Sequence, residues 1–254
     1  MYNIHNKERA RYAVTDRFFC LMVLVGGYDM NIQENTRIVK ETYNAIAEFF
    51  APMLEVQNSS KVEVAFMDSF LTHLSPNSAV IDLGCGVGKH GRYCASRGHR
   101  VTGYDISEEM IKRAKKYNDQ YKMEFLCVAD MCDIKTDKMF DGIVAMYSLI
   151  HLTTEQLILS FNNLAKNLKP NAKLVLSVLV GDGEGFVPEG LKPDMLQFFK
   201  YYQKDELVNL IVDLGFCVDE VKLWKDEDEI TASNTDIDYG VIGLIGTWRG
   251  LEHE

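Results

Sequence analysis

The stretch that decides the fold is 80–88, VIDLGCGVG, where a short apolar run leads into three alternate glycines. The apolar run predicts a buried strand, and the glycines predict a tight turn into a following helix. Gly84, Gly86 and Gly88 can adopt positive φ and let a ligand lie against bare backbone. The helix start adds unpaired N–H groups and a positive dipole end, which suit a phosphate or a carboxylate. The stretch therefore predicts a ligand-binding βα turn, although the glycines alone fit an ordinary tight turn as well.

Strands and helices alternate along the chain around this turn. Five short apolar runs predict strands, at 79–83, 99–104, 123–128, 140–146 and 174–180. Helical patterns lie between them, and this alternation is typical of a parallel sheet. The segments 216–224 and 239–248 predict a final antiparallel hairpin. The predicted fold class is therefore α/β: a seven-stranded, mostly parallel sheet with an antiparallel C-terminal hairpin, helices on both faces and a small N-terminal helical cap.

Two helical patterns precede the first strand. The first begins near residue 35, is ended by Pro52, and repeats large side chains at steps of four, three and four, namely Val39, Tyr43, Ile46 and Phe50. The second runs from 61 to 74 and is stopped by Pro76. These boundaries divide the chain into an N-terminal extension of unclear role at 1–34, a helical cap at 35–76 and the main domain at 77–254.

Local signals predict several caps and one loop. Ser107 is a favourable N-cap for the helix after the second strand. Thr153 and Gln156 have the spacing of a capping box, and Gly215 suits a helix C-terminus. The stretch 181–188, with three glycines and a proline, predicts a loop.

Acidic residues end the second and third predicted strands. Asp105 lies 17 residues after Gly88, where a carboxylate can accept hydrogen bonds from both ribose hydroxyls of an adenosine group. Asp130, or the backbone beside it, can meet the adenine amino group. Each acid alone is equally well explained as a helix cap. Together with the glycine turn, they predict one nucleoside ligand that spans three strand ends.

The stretch 80–114, VIDLGCGVGKHGRYCASRGHRVTGYDISEEMIKRA, resembles the core of class I S-adenosylmethionine-dependent methyltransferases. Lys89 and His90 after the glycines are most similar to the small-molecule branch of that family. The resemblance continues through FDGIVAMYSLIHL, LKPNAKLVLSV and YYQKDELVNLIVDLGF, and covers about 40–224. Asn171-Ala172 replaces the usual Gly-Gly before the fifth strand, and Gln203 stands where a Ser or Thr cap is usual.

The resemblance implies a Rossmann-like fold and a methyltransferase (EC 2.1.1.-). Its activity would be methyl transfer from S-adenosyl-L-methionine to an O, N or S atom of a small molecule, leaving S-adenosyl-L-homocysteine. By this resemblance the glycines and Asp105 hold the methionine tail and ribose, Asp130 contacts adenine, and Tyr43 lies over the cofactor. The full set of expected cofactor-binding residues is Tyr43, Asp82, Gly84, Cys85, Gly86, Gly88, His90, Asp105, Ile106, Met110, Asp130, Met131 and Tyr147.

His151 and Tyr147, after the fourth strand, are the candidate catalytic residues. The unperturbed pKa of histidine, near 6.5, suits proton removal at neutral pH, so His151 is a candidate general base. His151 is equally well placed to hydrogen-bond its own loop. The position of Tyr147 is compatible with three roles: contact with the methionine side of the cofactor, lining of the acceptor pocket, or core packing. An aromatic cluster follows the fifth strand and consists of Phe198, Phe199, Tyr201 and Tyr202. Together with residues 184–186, it either covers the acceptor pocket or belongs to ordinary core packing.

Composition and charge exclude several classes of partner. The net charge is −10, from 27 Lys+Arg and 37 Asp+Glu, with no basic stripe, so we expect no nucleic-acid partner. The longest apolar run, 18–25, is shorter than the ~20 residues of a spanning helix, so we expect no membrane partner. The six cysteines lack CxxC spacing, so we expect no metal. With no convincing signal peptide, the expectation is a cytoplasmic monomer or homodimer.

Two alternative functions remain open at this stage. One is a methyltransferase-like protein that binds the cofactor without catalysis. The other is a nucleotide-dependent oxidoreductase, because Gly86, Gly88 and Gly91 match the dinucleotide pattern G-x-G-x-x-G. No typical second nucleotide-binding half follows in the sequence.

Overall fold

The structure is a computed structural model that describes residues 32–56, 59–118, 123–225 and 240–251. The predicted N-terminal extension lies outside this part of the chain except for residues 32–34. The α-helices of the described part are α1 Ile32–Val56, α2 Lys61–Thr72, α3 Lys89–Ser96, α4 Glu108–Tyr117, α5 Thr154–Ala165 and α6 Lys204–Asp213. Short 3₁₀ helices occur at Met131–Asp133 and Leu149–His151. The strands are β1 Ala79–Leu83, β2 Arg100–Asp105, β3 Phe125–Val128, β4 Phe140–Met146, β5 Leu168–Leu179, β6 Glu184–Pro188, β7 Leu196–Lys200, β8 Phe216–Trp224 and β9 Val241–Trp248.

Seven of these strands form one mixed sheet in the order β3-β2-β1-β4-β5-β9-β8. The pairs among β1 to β5 are parallel, and β9 lies antiparallel between β5 and β8. This confirms the predicted fold class, including the antiparallel C-terminal hairpin. The strand order reverses between β1 and β4, and in open α/β sheets ligands bind at the carboxyl ends of strands beside such a reversal.

Helices pack on both faces of the sheet because apolar side chains of its central strands point to both faces. Val80 points into one core with Phe66 and Phe70 of α2, whereas Ile81 points into the opposite core with Leu157 of α5. All five residues of β1 are buried. Each fully buried valine, leucine, isoleucine or phenylalanine side chain stabilises the fold by about 1.5–3 kcal/mol. This two-sided burial fixes the carboxyl end of β1, where the glycine turn begins.

The first helix is longer than predicted. Pro52 lies inside α1, which continues to Val56, so the prediction that Pro52 ends this helix was wrong. A proline lacks only its own backbone N–H, so it removes one hydrogen bond from the helix. The helical turn after Pro52 is stabilised by a side chain from another helix. Arg92 donates through Nη2 to Glu55 Oε2 at 2.5 Å. In the described part of the chain, no helix combines the length and apolar character needed to cross a membrane.

A second, two-stranded sheet replaces most of the predicted loop at 181–188. β6 pairs antiparallel with β7 from Glu184 opposite Lys200 to Pro188 opposite Leu196. Gly185 and Pro188 lower the strand propensity of β6, so a strand was not predicted. The apolar partner strand β7 supplies the pairing, which local sequence cannot reveal.

Candidate functional site

The glycine turn adopts the backbone conformation that the sequence predicts. Gly84, Gly86 and Gly88 have φ values of 65°, 53° and 78°, and Gly88 is the N-cap of α3. A Cβ atom on Gly84 would lie 2.5 Å from the Cβ of Ser148, in the loop after β4. The glycine turn and the loop after β4 therefore pack closely against each other, and this contact requires that residue 84 has no side chain.

Replacing Gly84 with alanine is expected to lower the free energy of unfolding by about 2–4 kcal/mol. The new methyl group adds left-handed strain and a clash with Ser148. Gly98 is the matched control, because it has φ 88° but open space where a Cβ would lie. Gly98→Ala should lose only about 1–2 kcal/mol from strain. Chemical denaturation measures both values, and equal losses would contradict the clash.

Asp105 bonds into this turn from the end of β2. Its Oδ2 accepts a hydrogen bond from the Gly86 N–H at 2.8 Å, and its Oδ1 accepts one from Ser107 N–H at 2.9 Å. Burial raises the pKa of Asp105, while these two backbone donors act in the opposite direction. Each carboxylate oxygen has a second lone pair that can accept another donor. Ser107 also caps α4 as predicted, since its Oγ accepts from Met110 N–H at 3.1 Å.

Asp130 follows β3 and caps the short helix Met131–Asp133. Its Oδ1 accepts from Cys132 N–H at 2.8 Å, and Thr36 Oγ1 of α1 donates to its Oδ2 at 3.5 Å. Met131 Cε lies 3.2 Å from the position that a Gly84 Cβ would take. Asp130 therefore caps a helix, which is one of the two roles that the sequence allowed. It lies at the same edge of the sheet as the glycine turn.

The remaining expected cofactor residues lie around the turn with differing burial. Cys85 is buried, its N–H bonds Tyr104 O at 2.9 Å, and burial raises the pKa of its thiol. Ile106 is partly buried after Asp105, and Met110 is buried with its Cε 3.4 Å from a Cβ position on Gly86. A thiol with a raised pKa is a packing group rather than a nucleophile.

Asp82 is a buried acid directly before the turn. It is 2% exposed, and its Oδ2 has no hydrogen-bond partner among the residues described. Burial raises the pKa of Asp82 to about 6. An orphaned carboxylate oxygen of this kind is expensive unless a ligand or water reaches it.

The helix α1 lies across the carboxyl ends of the strands and bonds several of the loops there. Its hydrogen-bond pairs, in chain order, are Asn35 with Gln156, Tyr43 with His151, Asn44 with Ser107, and Glu55 with Arg92. Thr42 Oγ1 also donates to Leu196 O at 2.7 Å, which joins α1 to β7. The helical cap therefore covers the edge at which the expected cofactor residues meet.

His151 is buried beneath this cap and has partners on both ring nitrogens. Its Nδ1 lies 2.8 Å from Phe198 O, so Nδ1 carries the proton and donates it to that carbonyl. Its Nε2 is then the acceptor for the Tyr43 hydroxyl at 2.7 Å. The Gln197 side-chain amide also lies 2.9 Å from Nδ1, and its oxygen, which has no other partner among the described residues, is the atom that can accept from Nδ1–H. Burial lowers the pKa of His151 to about 4, against a partial upward effect of the Phe198 bond.

Acidification should destabilise the protein through His151. Since its pKa falls from an ordinary 6.5 to about 4, the unfolded chain binds a proton in this interval that the folded chain excludes. This stability is fully present above pH 6.5 and is lost as pH falls towards 4, by about 3 kcal/mol at most. Urea denaturation at pH 7 and 4.5 should show a larger loss for wild type than for His151→Gln. Asp82, whose raised pKa acts in the opposite direction, is common to both proteins, so equal losses would refute the His151 contribution.

Tyr147 and His90 face a different partner from His151. Tyr147 has φ 55°, and its hydroxyl donates to Glu63 Oε2 at 3.4 Å. His90 Nε2 lies 3.1 Å from Glu63 Oε1. Burial acts to raise the pKa of Glu63, but the hydrogen bonds of His90 and Ser59 and the charges of His90 and Lys89 together lower it to about 2. The two candidate catalytic residues, Tyr147 and His151, therefore bond separate elements, α2 and α1.

The aromatic residues after β5 divide into two groups. Phe198 and Tyr202 are fully buried, as ordinary packing requires. The Phe199 ring lies 5.0 Å from the His151 ring and stacks on Tyr201 at 6.4 Å between centroids. Only this second pair forms an aromatic wall beside His151.

Sequence reasoning missed several residues at this edge. They are Asn35, Asn44, Glu63 and Gln197. Glu63 carried one weak signal, since an acid in the first turn of a helix complements the helix dipole. The others have no local pattern, because their partners come from elements distant in sequence.

Comparison with known proteins adds to this geometry. Residues 80–171 match the family model described as a methyltransferase domain. This match includes the glycine turn, Asp105 and Asp130 and spans less than half of the chain. An O-methyltransferase of Pyrenophora dematioidea is 28% identical over 156 residues, which cover 57% of this chain and 58% of that protein. Squalene methyltransferase 1 of Botryococcus braunii is 38% identical over 105 residues, covering 39% of this chain and only 28% of that protein.

Solved structures share the methyltransferase fold. A Burkholderia thailandensis 1,6-didemethyltoxoflavin-N1-methyltransferase, with bound 1,6-didemethyltoxoflavin and S-adenosylhomocysteine, has a TM-score of 0.72 at 14% identity. The match covers 89% of this chain and 93% of that one. The [4+2]-cyclase SpnF has a TM-score of 0.65 at 15% identity and covers 85% of this chain and 97% of its own. At such identities the likeness establishes the fold alone.

Proposed function

We propose that this chain transfers a methyl group from S-adenosylmethionine to an O, N or S atom of a small molecule. The observation that carries the proposal is the glycine turn at the strand-order reversal, with Asp105 bonded to Gly86 within it. The methyltransferase-domain match at 80–171 supports the methyl donor over the nicotinamide cofactor of an oxidoreductase. A relative named as a phosphoethanolamine N-methyltransferase, 36% identical over 110 residues, supports a small acceptor.

The residues at this edge fit the proposed cofactor. Gly84 and Gly86 leave bare backbone at the turn, and Asp105 keeps lone pairs for ribose hydroxyls. The unpartnered Oδ2 of Asp82 fits the methionine end of the cofactor. The position of Asp130 fits its adenine end. When bound, the cofactor supplies an electrophilic methyl group on a positively charged sulfur.

The chain's own contribution is mainly to place the acceptor in line with that methyl group. Orientation of this kind is worth ~7–11 kcal/mol of the barrier. The cap helix α1 covers this edge through the Tyr43–His151 bond, and the Phe199–Tyr201 wall suits a flat, partly apolar acceptor. No oxyanion hole is needed, because positive charge leaves the sulfur as the new bond forms.

The proposed proton acceptor is Nε2 of His151, reached through Tyr43. The acceptor's proton passes to the Tyr43 oxygen as the Tyr43 hydroxyl proton passes to Nε2. The Phe198 carbonyl holds the Nδ1 proton and so keeps Nε2 free to accept. Positioned bases of this type contribute about 10²–10⁴-fold. The low pKa of His151 keeps it neutral at pH 7, so Nε2 has a free lone pair, and it also makes His151 a weaker base than an ordinary histidine.

A metabolite screen tests the activity directly. The protein is incubated with small-molecule extract and S-adenosylmethionine carrying a labelled methyl group, and products are identified by mass spectrometry. We expect label on an O, N or S atom of one compound class. S-adenosylhomocysteine should also raise the melting temperature, whereas NAD and NADP should not. Stabilisation without any labelled product would favour a cofactor-binding protein without catalysis.

The location and assembly of the protein remain predictions from its sequence. We propose a cytoplasmic monomer or homodimer without a nucleic-acid partner. Size-exclusion chromatography with light scattering measures the oligomeric state.

A further inference from the structure

We propose that Gln197 is a positioning residue for the proton transfer: its side-chain oxygen holds the Nδ1 proton of His151 and stabilises the ring when Nε2 accepts a proton. The inference rests on the proposed function, because it concerns the base of the same reaction. The role is that of the third group in a triad, which orients a histidine without contacting the substrate. The members of this triad, in order of proton transfer, are Tyr43, His151 and Gln197.

Gln197 lies on β7 of the two-stranded sheet, and its side chain is almost fully buried, at 1% exposure. A buried amide is unfavourable unless it is hydrogen-bonded. Side chains at alternate strand positions share a face, and both Gln197 and Phe199 contact the His151 ring from β7. The hydrogen bond that compensates the burial of Gln197 is therefore the one to His151.

The Phe198 carbonyl determines which atom of Gln197 faces the ring. A carbonyl oxygen can only accept, so its distance of 2.8 Å requires a proton on Nδ1. An amide N–H directed at this N–H would be repelled, whereas an amide oxygen accepts from it. The two ends of a glutamine amide are assigned from such bonding, and the oxygen of Gln197 has no other partner among the described residues. Two oxygens, from Phe198 and Gln197, therefore share the Nδ1 proton of His151.

The groups that contact the His151 ring from β7 are neutral: an amide, a backbone carbonyl and a phenyl ring. On the other side, the Tyr43 hydroxyl of α1 bonds Nε2. Burial, and then the charges of Glu189 after β6 and Asp105 in β2, raise the pKa of Tyr43. Burial of His151 itself lowers its pKa to about 4. The oxygens on Nδ1 are therefore the groups that can offset the cost of a buried imidazolium.

Proton transfer changes the strength of the hydrogen bond to Gln197. When Nε2 gains a proton, Nδ1 keeps its own, and the neutral ring becomes a cation. A hydrogen bond from a charged donor is about twice as strong as a neutral one, so the Gln197 oxygen stabilises the imidazolium more than the neutral ring. Only an interaction that strengthens towards the transition state accelerates the reaction. Gln197 should therefore raise kcat with little effect on binding.

NMR of protein labelled with ¹⁵N-histidine tests the pairing without any assay of methyl transfer. His151 is identified among the six histidines as the signal that His151→Gln loses. We expect the wild-type ring to carry its proton on Nδ1 at pH 7. Gln197→Glu should raise the pKa of His151 by about 1–3 pH units, because a carboxylate beside Nδ1 favours the charged ring.

Leu196→Glu is the matched control for this titration. It adds the same charge one residue away, on a side chain that is 46% exposed, and water screens such a charge. The pKa of His151 should therefore stay at its wild-type value in this variant. A wild-type proton on Nε2 instead of Nδ1, or an unchanged pKa in Gln197→Glu, overturns the inference.

Turnover separates positioning from packing. Gln197→Leu should lower kcat about 10- to 100-fold, with KM and S-adenosylhomocysteine affinity within about twofold of wild type. Gln197→Glu should be active above the raised pKa of His151 and lose activity below it, because only the neutral ring accepts a proton. A merely structural role predicts the reverse order, since a buried leucine costs less than a buried carboxylate.

Equal kcat values of wild type and Gln197→Leu would overturn the inference, as would an inactive Gln197→Glu beside an active Gln197→Leu. The NMR titration keeps this result apart from the proposed function. A shifted pKa in a protein that forms no labelled product would overturn the proposed function, not the pairing of Gln197 with His151.

Discussion

Asp105→Ala is expected to weaken S-adenosylhomocysteine binding by about 1.5–3 kcal/mol, or roughly 10- to 100-fold. The carboxylate already orders the glycine turn through Gly86 and the start of α4 through Ser107. Its spare lone pairs are the proposed acceptors for the ribose hydroxyls. Alanine removes both the order and the acceptors, which makes this the largest expected loss of cofactor affinity. Isothermal titration calorimetry measures it.

Two further variants isolate the cause of that loss. Asp105→Asn keeps one carbonyl oxygen, which can accept from either Gly86 or Ser107 but not serve both as the carboxylate does, so an intermediate affinity is expected. Asp133→Ala is the control, because its carboxylate lies on the nearby short helix, is 68% exposed and pairs only with Lys135 among described salt bridges. Unchanged affinity in Asp105→Ala would remove the ribose role.

The parts of the fold and site that the sequence predicted depend on local chemistry. β1 is buried on both faces and ends in glycines that require positive φ, so 80–88 predicted both the strand and the turn. The Ser107 cap and the Thr153–Gln156 capping box were predicted for the same reason, since each joins residues three apart. Asp105 was predicted because parallel strands end at a common edge.

The parts that the sequence did not predict depend on contacts between distant segments. The continuation of α1 past Pro52 is supported by Arg92, from a helix that follows β1. The strand β6 forms because Phe198 and its neighbours in β7 pair with it. Glu63 lies 84 positions from Tyr147, so no spacing rule links them. Such contacts follow from the assembled sheet rather than from any one stretch of sequence.

His151→Ala is expected to lower turnover by about 10²–10⁴-fold while changing S-adenosylhomocysteine affinity less than threefold. The Nε2 atom, aligned by the Phe198 carbonyl and bonded to Tyr43, is the proposed proton acceptor, and alanine removes it without touching the glycine turn. Turnover is measured from pH 6 to 9 with the acceptor found in the labelled screen, and His73→Ala, at the exposed end of α2, is the control. Because the pKa of His151 is about 4, the wild-type rate should show no titration of this residue in that range.

Tyr43→Phe should lower turnover as well if the proton passes through its hydroxyl. A merely structural His151–Tyr43 bond would instead lower the melting temperature of both variants and leave the turnover of the folded protein intact. Equal turnover of wild type and His151→Ala at every pH would therefore exclude His151 as the base.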